Sequence, residues 1–257
     1  ARETLSAAAA TIPNHVCVSK AAMKKKEIDK YMHDEGVFDF AEQRETRKLT
    51  EECQAVRVVN KDDWLASGGQ LVSGRFVCSF KDKSPDGIQM SPNDPMRGVV
   101  SEPNARFVAK GFQQRLDPDQ DVSSPTLTKE ALRLICQFAA TTRVSLRTKD
   151  ASRAFPQADD RHAGTARVAV TPPPEAGLPD DVVWEIVKPL CGLATSPRAF
   201  FATVHTKLIA LNFKQSKFDK SLHVLRSSGG EVIGVVGTHV DDFVFAGTKE
   251  FDEIKEN

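Results

Sequence analysis

The stretch that decides the fold runs from residue 237 to residue 245 and reads Gly-Thr-His-Val-Asp-Asp-Phe-Val-Phe. The runs 232–240 and 243–246 on either side of the two acids are rich in β-branched and aromatic residues, which is typical of strands. The pattern predicts a β-hairpin with Asp241 and Asp242 at its tip. Adjacent carboxylates repel each other, and a bound divalent cation relieves that repulsion. Because aspartate also suits ordinary turns, the hairpin alone leaves a plain Asp-rich turn open as the other interpretation.

A third carboxylate, Asp150, ends another segment with strand character, in which Val144, Leu146 and Thr148 alternate with polar residues. If that strand neighbours the hairpin, three acids meet at one end of a sheet. Carboxylate oxygens are the hard ligands that Mg²⁺ prefers, and Mg²⁺ takes its remaining ligands from water and substrate phosphates. From the residues alone, both a magnesium site made of Asp150, Asp241 and Asp242 and a plain Asp-rich turn stay open.

Helices and strands follow each other irregularly along the rest of the chain. Strand character covers 71–80 and 106–112, and an amphipathic helix is expected within 20–40. Two further helices are predicted to begin at the N-cap Thr128 and at Ser196, which precedes a proline. The face of the first of these is expected to be lined by Leu132, Ile135, Cys136 and Ala139. Because no regular βαβ order is present, we predict an α+β fold with a largely antiparallel sheet.

Composition restricts the class of protein. The chain has 257 residues, of which 40% are hydrophobic, enough for a sizeable core. A formal net charge of zero argues against a uniformly basic nucleic-acid coat and permits a single basic channel. No run reaches the roughly 18 apolar residues of a membrane helix, and the start lacks the apolar segment of a signal peptide. We expect an intracellular protein, in the cytoplasm or nucleus, with no membrane partner. Its five cysteines are far apart, which argues against a zinc site and predicts reduced, mostly buried thiols.

Five segments, in order, resemble the reverse transcriptase of copia-type retrotransposons. Asn-Ala-Arg-Phe-Val-Ala-Lys-Gly-Phe-Gln-Gln (104–114) is similar to the family's K-A-R-L-V-A-K-G-F-x-Q, and Ser-Pro-Thr (124–126) to its S-P-V/T. Lys-Asp-Ala-Ser-Arg-Ala-Phe (149–155) resembles L-D-V-x-x-A-F, and Cys-Gly-Leu-Ala-Thr-Ser-Pro-Arg-Ala-Phe (191–200) resembles Y-G-L-K-Q-A-P-R-A-W. His-Val-Asp-Asp (239–242) resembles Y-V-D-D. The likeness extends from about residue 71 to the C-terminus, more weakly back to about residue 19, and it favours a functional hairpin over a plain turn.

The resemblance implies an RNA-directed DNA polymerase with a palm-and-fingers core in 68–257, preceded by a charged, mostly helical lead in 1–67. A thumb and an RNase H domain would lie beyond residue 257. Asp150, Asp241 and Asp242 would be the catalytic residues and would bind two Mg²⁺ ions, which Mn²⁺ can replace. The implied partners are an RNA or DNA template with its primer, and deoxynucleoside triphosphates.

The resemblance also implies a clamp for the nucleotide triphosphate. Arg106 would bind phosphate oxygens through its planar guanidinium, and Lys81 on the preceding strand would assist it. Taken alone, either side chain is equally an ordinary surface charge. The segment 104–115, however, contains three basic residues and no acid, so it forms a basic stretch in a neutral protein.

The segment after Asp150 would complete the nucleotide site. By position, the backbone carbonyl of Ala151 would be a further metal ligand, and the backbone amides of Arg153 and Ala154 would lie beside the triphosphate. Phe155 would form a bulky gate under the sugar that rejects a ribose 2′-hydroxyl by collision. The other interpretation of Phe155 is a phenylalanine of the hydrophobic core.

Two departures from the family pattern bear on activity. Thr195 stands where the family has a glutamine that contacts the nucleotide sugar, so that contact is lost or rebuilt. His239 replaces the tyrosine beside the acids, and neither change removes a metal ligand. They keep open a catalytically silent remnant that acts at most as a nucleic-acid-binding or structural domain. A small metal-dependent phosphohydrolase is a third interpretation, because it would use the same acids without needing Arg106 or a gate.

Overall fold

The computed structural model describes residues 34–82, 101–159 and 167–255. The helices are α1 (Asp39–Arg47), α2 (Lys61–Ala66), α3 (Lys129–Thr142), α4 (Ser196–Ala210) and α5 (Lys249–Lys255), and a π-helical turn (Lys48–Glu52) follows α1. The strands are β1 (Val56–Asn60), β2 (Gln70–Asp82), β3 (Ser101–Ala109), β4 (Arg147–Asp150), β5 (Val168–Thr171), β6 (Val182–Ile186), β7 (Lys214–Gln215), β8 (Leu222–Arg226), β9 (Val232–His239) and β10 (Asp242–Gly247).

The chain divides into two compact units, a smaller one of Ala1–Glu45 and Val77–Arg106 and a larger one of Thr46–Phe76 and Phe107–Asn257. In the described part of the smaller unit, the rings of Phe38 and Phe80 lie 5.2 Å apart. The carboxylate of the buried Glu42 accepts a hydrogen bond from the Cys78 thiol. These contacts join the start of α1 to the end of β2.

The first sheet has the strand order β1-β6-β5-β2-β3. β6 is antiparallel to both β1 and β5, whereas β5 runs parallel to β2. In the larger unit, Trp184 is fully buried on this sheet and packs edge-on against Phe107, with ring centroids 5.1 Å apart. This aromatic pair is the centre of the core on that sheet.

The second sheet is antiparallel throughout, in the order β4-β10-β9-β8-β7. Its central strand β9 is buried on both faces, since Val235 packs with residues of α3 while Val236 packs in the cluster that contains Phe251 of α5. Successive strand residues point to opposite faces, so one strand contributes to both cores. Helices therefore cover both faces of the sheet, and the Val240–Asp241 turn lies at one of its ends.

Most predicted elements are confirmed. The strand at 71–80, the strand that ends at Asp150, the hairpin of β9 and β10, and the helices that start after Thr128 and at Ser196 are all present. The Thr128 hydroxyl accepts a hydrogen bond from the Ala131 amide, as an N-cap does. The α+β class is confirmed, and among the strand pairs with described register only β2 and β5 are parallel.

Some expectations differ from the structure. Two sheets are present where one was expected. Strand β1 was not predicted, and it forms because Val56–Asn60 pairs with β6. The mostly helical lead in 1–67 stays a prediction, since residues 1–33, with most of the helix expected within 20–40, lie outside the described part. The buried face of α3 is Ala131, Ile135 and Ala139, while Leu132 and Cys136 are exposed. The prediction of mostly buried thiols was wrong for the described cysteines, which are exposed at Cys136 and half-buried at the others.

Within the described ranges, no helix has the length and apolar character to cross a bilayer.

Candidate functional site

The turn between β9 and β10 has only two residues, Val240 and Asp241, because His239 and Asp242 are paired across the hairpin. Val240 has a φ of 58°, in the left-handed region that β-branched residues rarely adopt. A positive φ at the first turn position, and not at the second, is the pattern of a type II′ turn, where glycine is usual. The backbone is therefore strained at the residue that precedes the two acids.

Asp150 lies directly opposite Asp242. These two residues are paired where β4 ends and β10 begins, so their side chains lie on the same face of the sheet. The amide of Ala151 donates a hydrogen bond of 2.8 Å to the carbonyl of Asp241, which joins the hairpin turn to the end of β4. The three predicted acids thus meet at one end of one sheet.

The three carboxylates are available to a ligand. Asp150 and Asp242 are exposed and Asp241 is half-buried. Among the described residues, none of the three side chains has a hydrogen-bond or ion-pair partner. The same residues contain no group of three or more His, Cys, Asp or Glu side chains placed to hold a metal ion by themselves. The donor set nevertheless suits Mg²⁺, since two opposed carboxylates and a third beside them leave coordination positions for water and phosphate oxygens.

Arg153 follows the strand that ends at Asp150, and its side chain is already engaged. Its Nη1 atom lies 2.9 Å from Oε2 of Glu52 and also contacts the thiol of Cys53. The hydrogen bond to Glu52 raises the pKa of the Arg153 guanidinium. The backbone of Arg153 has a φ of 54°. The contact predicted for Arg153 is through its backbone amide, so the ion pair of its side chain does not conflict with that prediction.

Phe155 and Ala154 pack on α4. The Phe155 ring is half-buried and meets Phe200 edge-on, with centroids 6.4 Å apart, while Ala154 is buried beside Ala199. The predicted gate and the predicted core role of Phe155 are therefore compatible, because one part of the ring packs and another part is exposed.

The remaining predicted nucleotide contacts lie in other segments of the chain. Thr195 is only 7% exposed and is the N-cap of α4 without a side-chain cap bond, so a nucleotide would reach it only after a local rearrangement. Arg106 is exposed on β3, between the buried Ala105 and Phe107, and belongs to the smaller unit. Lys81 lies on β2, and its side chain is outside the described part.

The Ser-Pro-Thr segment has a role that sequence reasoning missed. Thr126 forms an isolated antiparallel bridge with His239, and the Leu127 amide donates to the Thr238 carbonyl at 3.0 Å. Ser124 Oγ donates to the carbonyl of Pro197 at the start of α4. The segment therefore links the end of β9, beside the candidate site, to the start of α4. Its match to the family pattern was the only sequence signal for these contacts.

A histidine pair with one buried and one half-buried member joins α4 to the second sheet. Nε2 of His223 on β8 is 3.0 Å from Nδ1 of His205 on α4, and His223 is fully buried. Burial, reinforced by the nearby His205, lowers the pKa of His223 from 6.5 to about 4, although the backbone of Ser221 and the carboxylate of Asp219 oppose the shift. His223 is therefore neutral in the folded protein at pH 7.

The His223 pair makes the stability of the fold sensitive to acid. Between pH 6.5 and about pH 4 the unfolded chain binds a proton at this residue that the folded chain excludes, so stability falls as the pH falls. The full shift corresponds to about 3 kcal/mol. Urea unfolding at a series of pH values should give a shallower pH slope for His223→Phe than for the wild type. Equal slopes for His223→Phe and the wild type would contradict the assignment.

Residues 92–257 match the family described as reverse transcriptase (RNA-dependent DNA polymerase). The chain is also similar to the Retrovirus-related Pol polyprotein from transposon RE2 of Arabidopsis thaliana, with 31% identity over 155 residues. Its similarity to the corresponding polyprotein from transposon RE1 of the same plant is 30% over 155 residues. Each alignment covers 58% of this chain and 10% of the relative, so the chain spans about a tenth of the length of these relatives. By this match and by the order of its motifs, the chain belongs to the reverse transcriptase family, in its copia-type branch.

Proposed function

We propose that this chain is the fingers and palm region of an RNA-directed DNA polymerase that extends a primer by two-metal nucleotidyl transfer. The observation that carries the proposal is the direct pairing of Asp150 with Asp242 beside the strained turn of Asp241. In the reaction, the primer 3′-oxygen forms a bond to the α-phosphorus of a deoxynucleoside triphosphate. The bond to the β-phosphate oxygen breaks, and pyrophosphate leaves.

The acids hold the metal in this proposal. Asp150 and Asp241 are the main ligands, Asp242 assists, and the carbonyl of Ala151 is a further donor. Magnesium, or manganese in its place, supplies the Lewis acid that activates the primer hydroxyl and stabilises the leaving pyrophosphate. The hydrogen bond from the Ala151 amide to the Asp241 carbonyl supports this arrangement, because it joins the hairpin turn to the end of β4.

The nucleotide contacts are also proposals. Arg106, with Lys81, would clamp the triphosphate, and the exposed position of Arg106 on its strand is compatible with that role. The amides of Arg153 and Ala154 would add neutral donors, and Phe155 would exclude the ribose hydroxyl. Thr195 would contribute least, because its side chain is buried.

The strain at Val240 supports a functional turn. Left-handed backbone at a β-branched residue costs on the order of 1–2 kcal/mol and persists where surrounding structure holds it in place. A plain Asp-rich turn would be more stable with glycine at this position. The strain therefore favours a site in which the positions of the acids matter more than the stability of the turn.

The domain boundaries and the binding partners rest on the same proposal. Residues 68–257 would be the polymerase core and 1–67 a charged lead, with a template–primer and deoxynucleotides as partners. An intracellular location, in the cytoplasm or nucleus, stays a prediction.

Primer extension tests the proposal. The chain is given a primed RNA template and a deoxynucleotide with Mg²⁺ or Mn²⁺, and incorporation should require both the template and the metal. The silent remnant is the second candidate, because the described side chains do not by themselves form a three-ligand cage and Thr195 is buried. No incorporation with either metal would establish the remnant, whereas hydrolysis of free nucleotide without template would indicate the phosphohydrolase.

A further inference from the structure

The turn between β7 and β8, residues 216–220, holds an aromatic ring entirely in solvent. Phe218 is the most exposed of the large hydrophobic residues in the described ranges, at 101% of its reference area. Lys217 and Lys220 on either side are exposed, as is Lys214 just before the turn. Within the part of the chain that the structure describes, none of these lysines forms an ion pair.

The backbone of the 216–220 turn is tightly hydrogen-bonded. Ser216 Oγ accepts from the amides of Phe218 and Asp219, at 3.2 and 3.4 Å. The Ser216 amide donates to the Leu222 carbonyl at 2.8 Å, and the side chain of Gln215 donates to the Lys220 carbonyl at 2.7 Å. Because the backbone is fixed on both sides of Phe218, the outward position of the ring is a property of the fold and not of a loose loop.

The one acid of this turn points inward. Asp219 is 8% exposed, and its Oδ2 accepts from both the amide and the hydroxyl of Thr128 while its Oδ1 accepts from the Ser221 amide. Burial alone would raise the pKa of Asp219, but these hydrogen bonds lower it below its ordinary value, so the group stays ionised inside the turn. The outer surface of the turn therefore presents lysines and a ring without an accessible carboxylate of its own.

A neighbouring acid only partly balances this charge. Asp121 lies 3.4 Å from Arg198, the nearest atoms being a carboxylate oxygen and Nη2. Hydrogen bonds from Ser123 lower the pKa of Asp121 most, and the charges of Arg198 and Lys220 add to that effect. One carboxylate is thus shared between two cations, and Lys217 is a further positive charge.

The 216–220 turn lies at the sheet end that carries the three acids. β8 is antiparallel to β9, with Leu222 opposite Gly237, and the Thr238 amide donates to the Ser221 carbonyl. The start of β8 is therefore level with the end of β9, and the segment 126–128, which bridges His239 and donates to Asp219, lies between the 216–220 turn and the hairpin turn. Adjacent strands are about 4.8 Å apart, and two strand spacings separate β10 from β8.

We propose that the 216–220 turn binds a single-stranded segment of nucleic acid, with an unpaired base stacked on Phe218 and phosphates on Lys217 and Lys220. An exposed ring flanked by basic side chains is how proteins bind single strands without sequence preference, since every base has a face to stack. The inference rests on the proposed function for its biological context, because it places this contact beside the carboxylates. It adds a surface that none of the matched motifs contains.

Binding of a fluorescein-labelled single-stranded oligonucleotide, measured by anisotropy in EDTA, tests this inference apart from catalysis. Phe218→Ala should weaken binding about tenfold, because stacking contributes at that level per base. Lys217→Ala with Lys220→Ala should reduce the slope of log affinity against log salt by about 1.4, since each phosphate contact of a single strand contributes about 0.7. Lys249→Ala is the matched control. This exposed lysine follows β10 at the opposite end of the sheet, and its removal should leave affinity within twofold of wild type.

The fluorescence of the variant Phe218→Trp reports base stacking at this position directly. Phe218→Trp should bind as the wild type does, and its emission should be quenched by the oligonucleotide, while the native Trp64 and Trp184 are buried. Wild-type affinity in Phe218→Ala, unquenched emission, or no binding by the wild-type chain would each overturn the inference. So would dimerisation in sedimentation that Phe218→Ala abolishes without changing oligonucleotide affinity, since the occupant would then be a second copy. Loss of primer extension with intact Phe218-dependent binding would disprove only the proposed function.

Discussion

Replacing Asp241 by asparagine is expected to reduce template-directed nucleotide incorporation by about a thousandfold or more, or roughly 4 kcal/mol in the activation barrier. Asparagine keeps the size of the side chain but removes the negative charge that a divalent cation requires. Among the described residues, the Asp241 side chain has no hydrogen-bond partner, so folding should be little affected. The measurement is single-nucleotide incorporation on a primed template with Mn²⁺, together with thermal unfolding of both proteins.

Asp180→Asn is the control for Asp241→Asn. Asp180 is an exposed acid in the loop before β6, away from the hairpin, so the same loss of charge there should leave incorporation unchanged. Incorporation by Asp241→Asn within a few-fold of wild type would contradict the role of the hairpin acids. Equal losses in both variants would indicate a general effect of charge and not a ligand.

Gly192→Ala is expected to destabilise the fold by about 3–5 kcal/mol, the larger stability effect among these variants. Gly192 has a φ of 91°, and a Cβ there would lie 2.0 Å from the carbonyl oxygen of Ala109. The backbones are held in this contact because the Ala109 amide donates to the Cys191 carbonyl at 2.9 Å. An alanine would therefore combine a strained backbone with a collision that no side-chain rotation relieves.

Gly177→Ala separates the free-energy cost of the positive φ from the cost of the steric collision. Gly177 has a φ of 64°, but a Cβ there would meet no atom within 4 Å, so only the backbone cost applies, about 1 kcal/mol. Urea unfolding monitored by Trp fluorescence compares the two variants with the wild type. Similar losses of stability in both would show that the close approach of Gly192 to the end of β3 is not present in solution.

Local sequence patterns were sufficient to predict the helices and strands that depend mainly on their own residues. The hairpin of β9 and β10 was predictable from runs of β-branched and aromatic residues around the two acids, and α3 from a threonine N-cap. The predicted tip was one residue off, because Asp242 begins β10 and the turn is Val240–Asp241. Strand β1 was missed because Val56–Asn60 is short, lies in charged sequence and becomes a strand by pairing with the distant β6. The number of sheets depends on such long-range pairing, which periodicity does not encode.

The candidate site, too, was predictable from the sequence only in part. That Asp150, Asp241 and Asp242 lie at one sheet end followed from strand ends and family motifs, and the register pairs Asp150 with Asp242. Their role as a metal site stays a prediction. The ion pair of Arg153 with Glu52 and the burial of Thr195 were not predictable, because each depends on elements far apart in sequence. The 216–220 turn was missed for a different reason, since a single exposed phenylalanine gives no periodic signal.

The most direct test of the shared carboxylate site is a measurement of Mn²⁺ uptake in the presence of a primed template and a deoxynucleotide. The uptake is detected as a loss of the electron paramagnetic resonance signal of the free ion. The wild-type chain should bind Mn²⁺ beyond what the nucleotide alone binds, and both Asp150→Asn and Asp241→Asn should lose that uptake, although the two residues come from separate segments of the chain. Uptake that is unchanged in both variants, or absent from the wild type, would contradict the account.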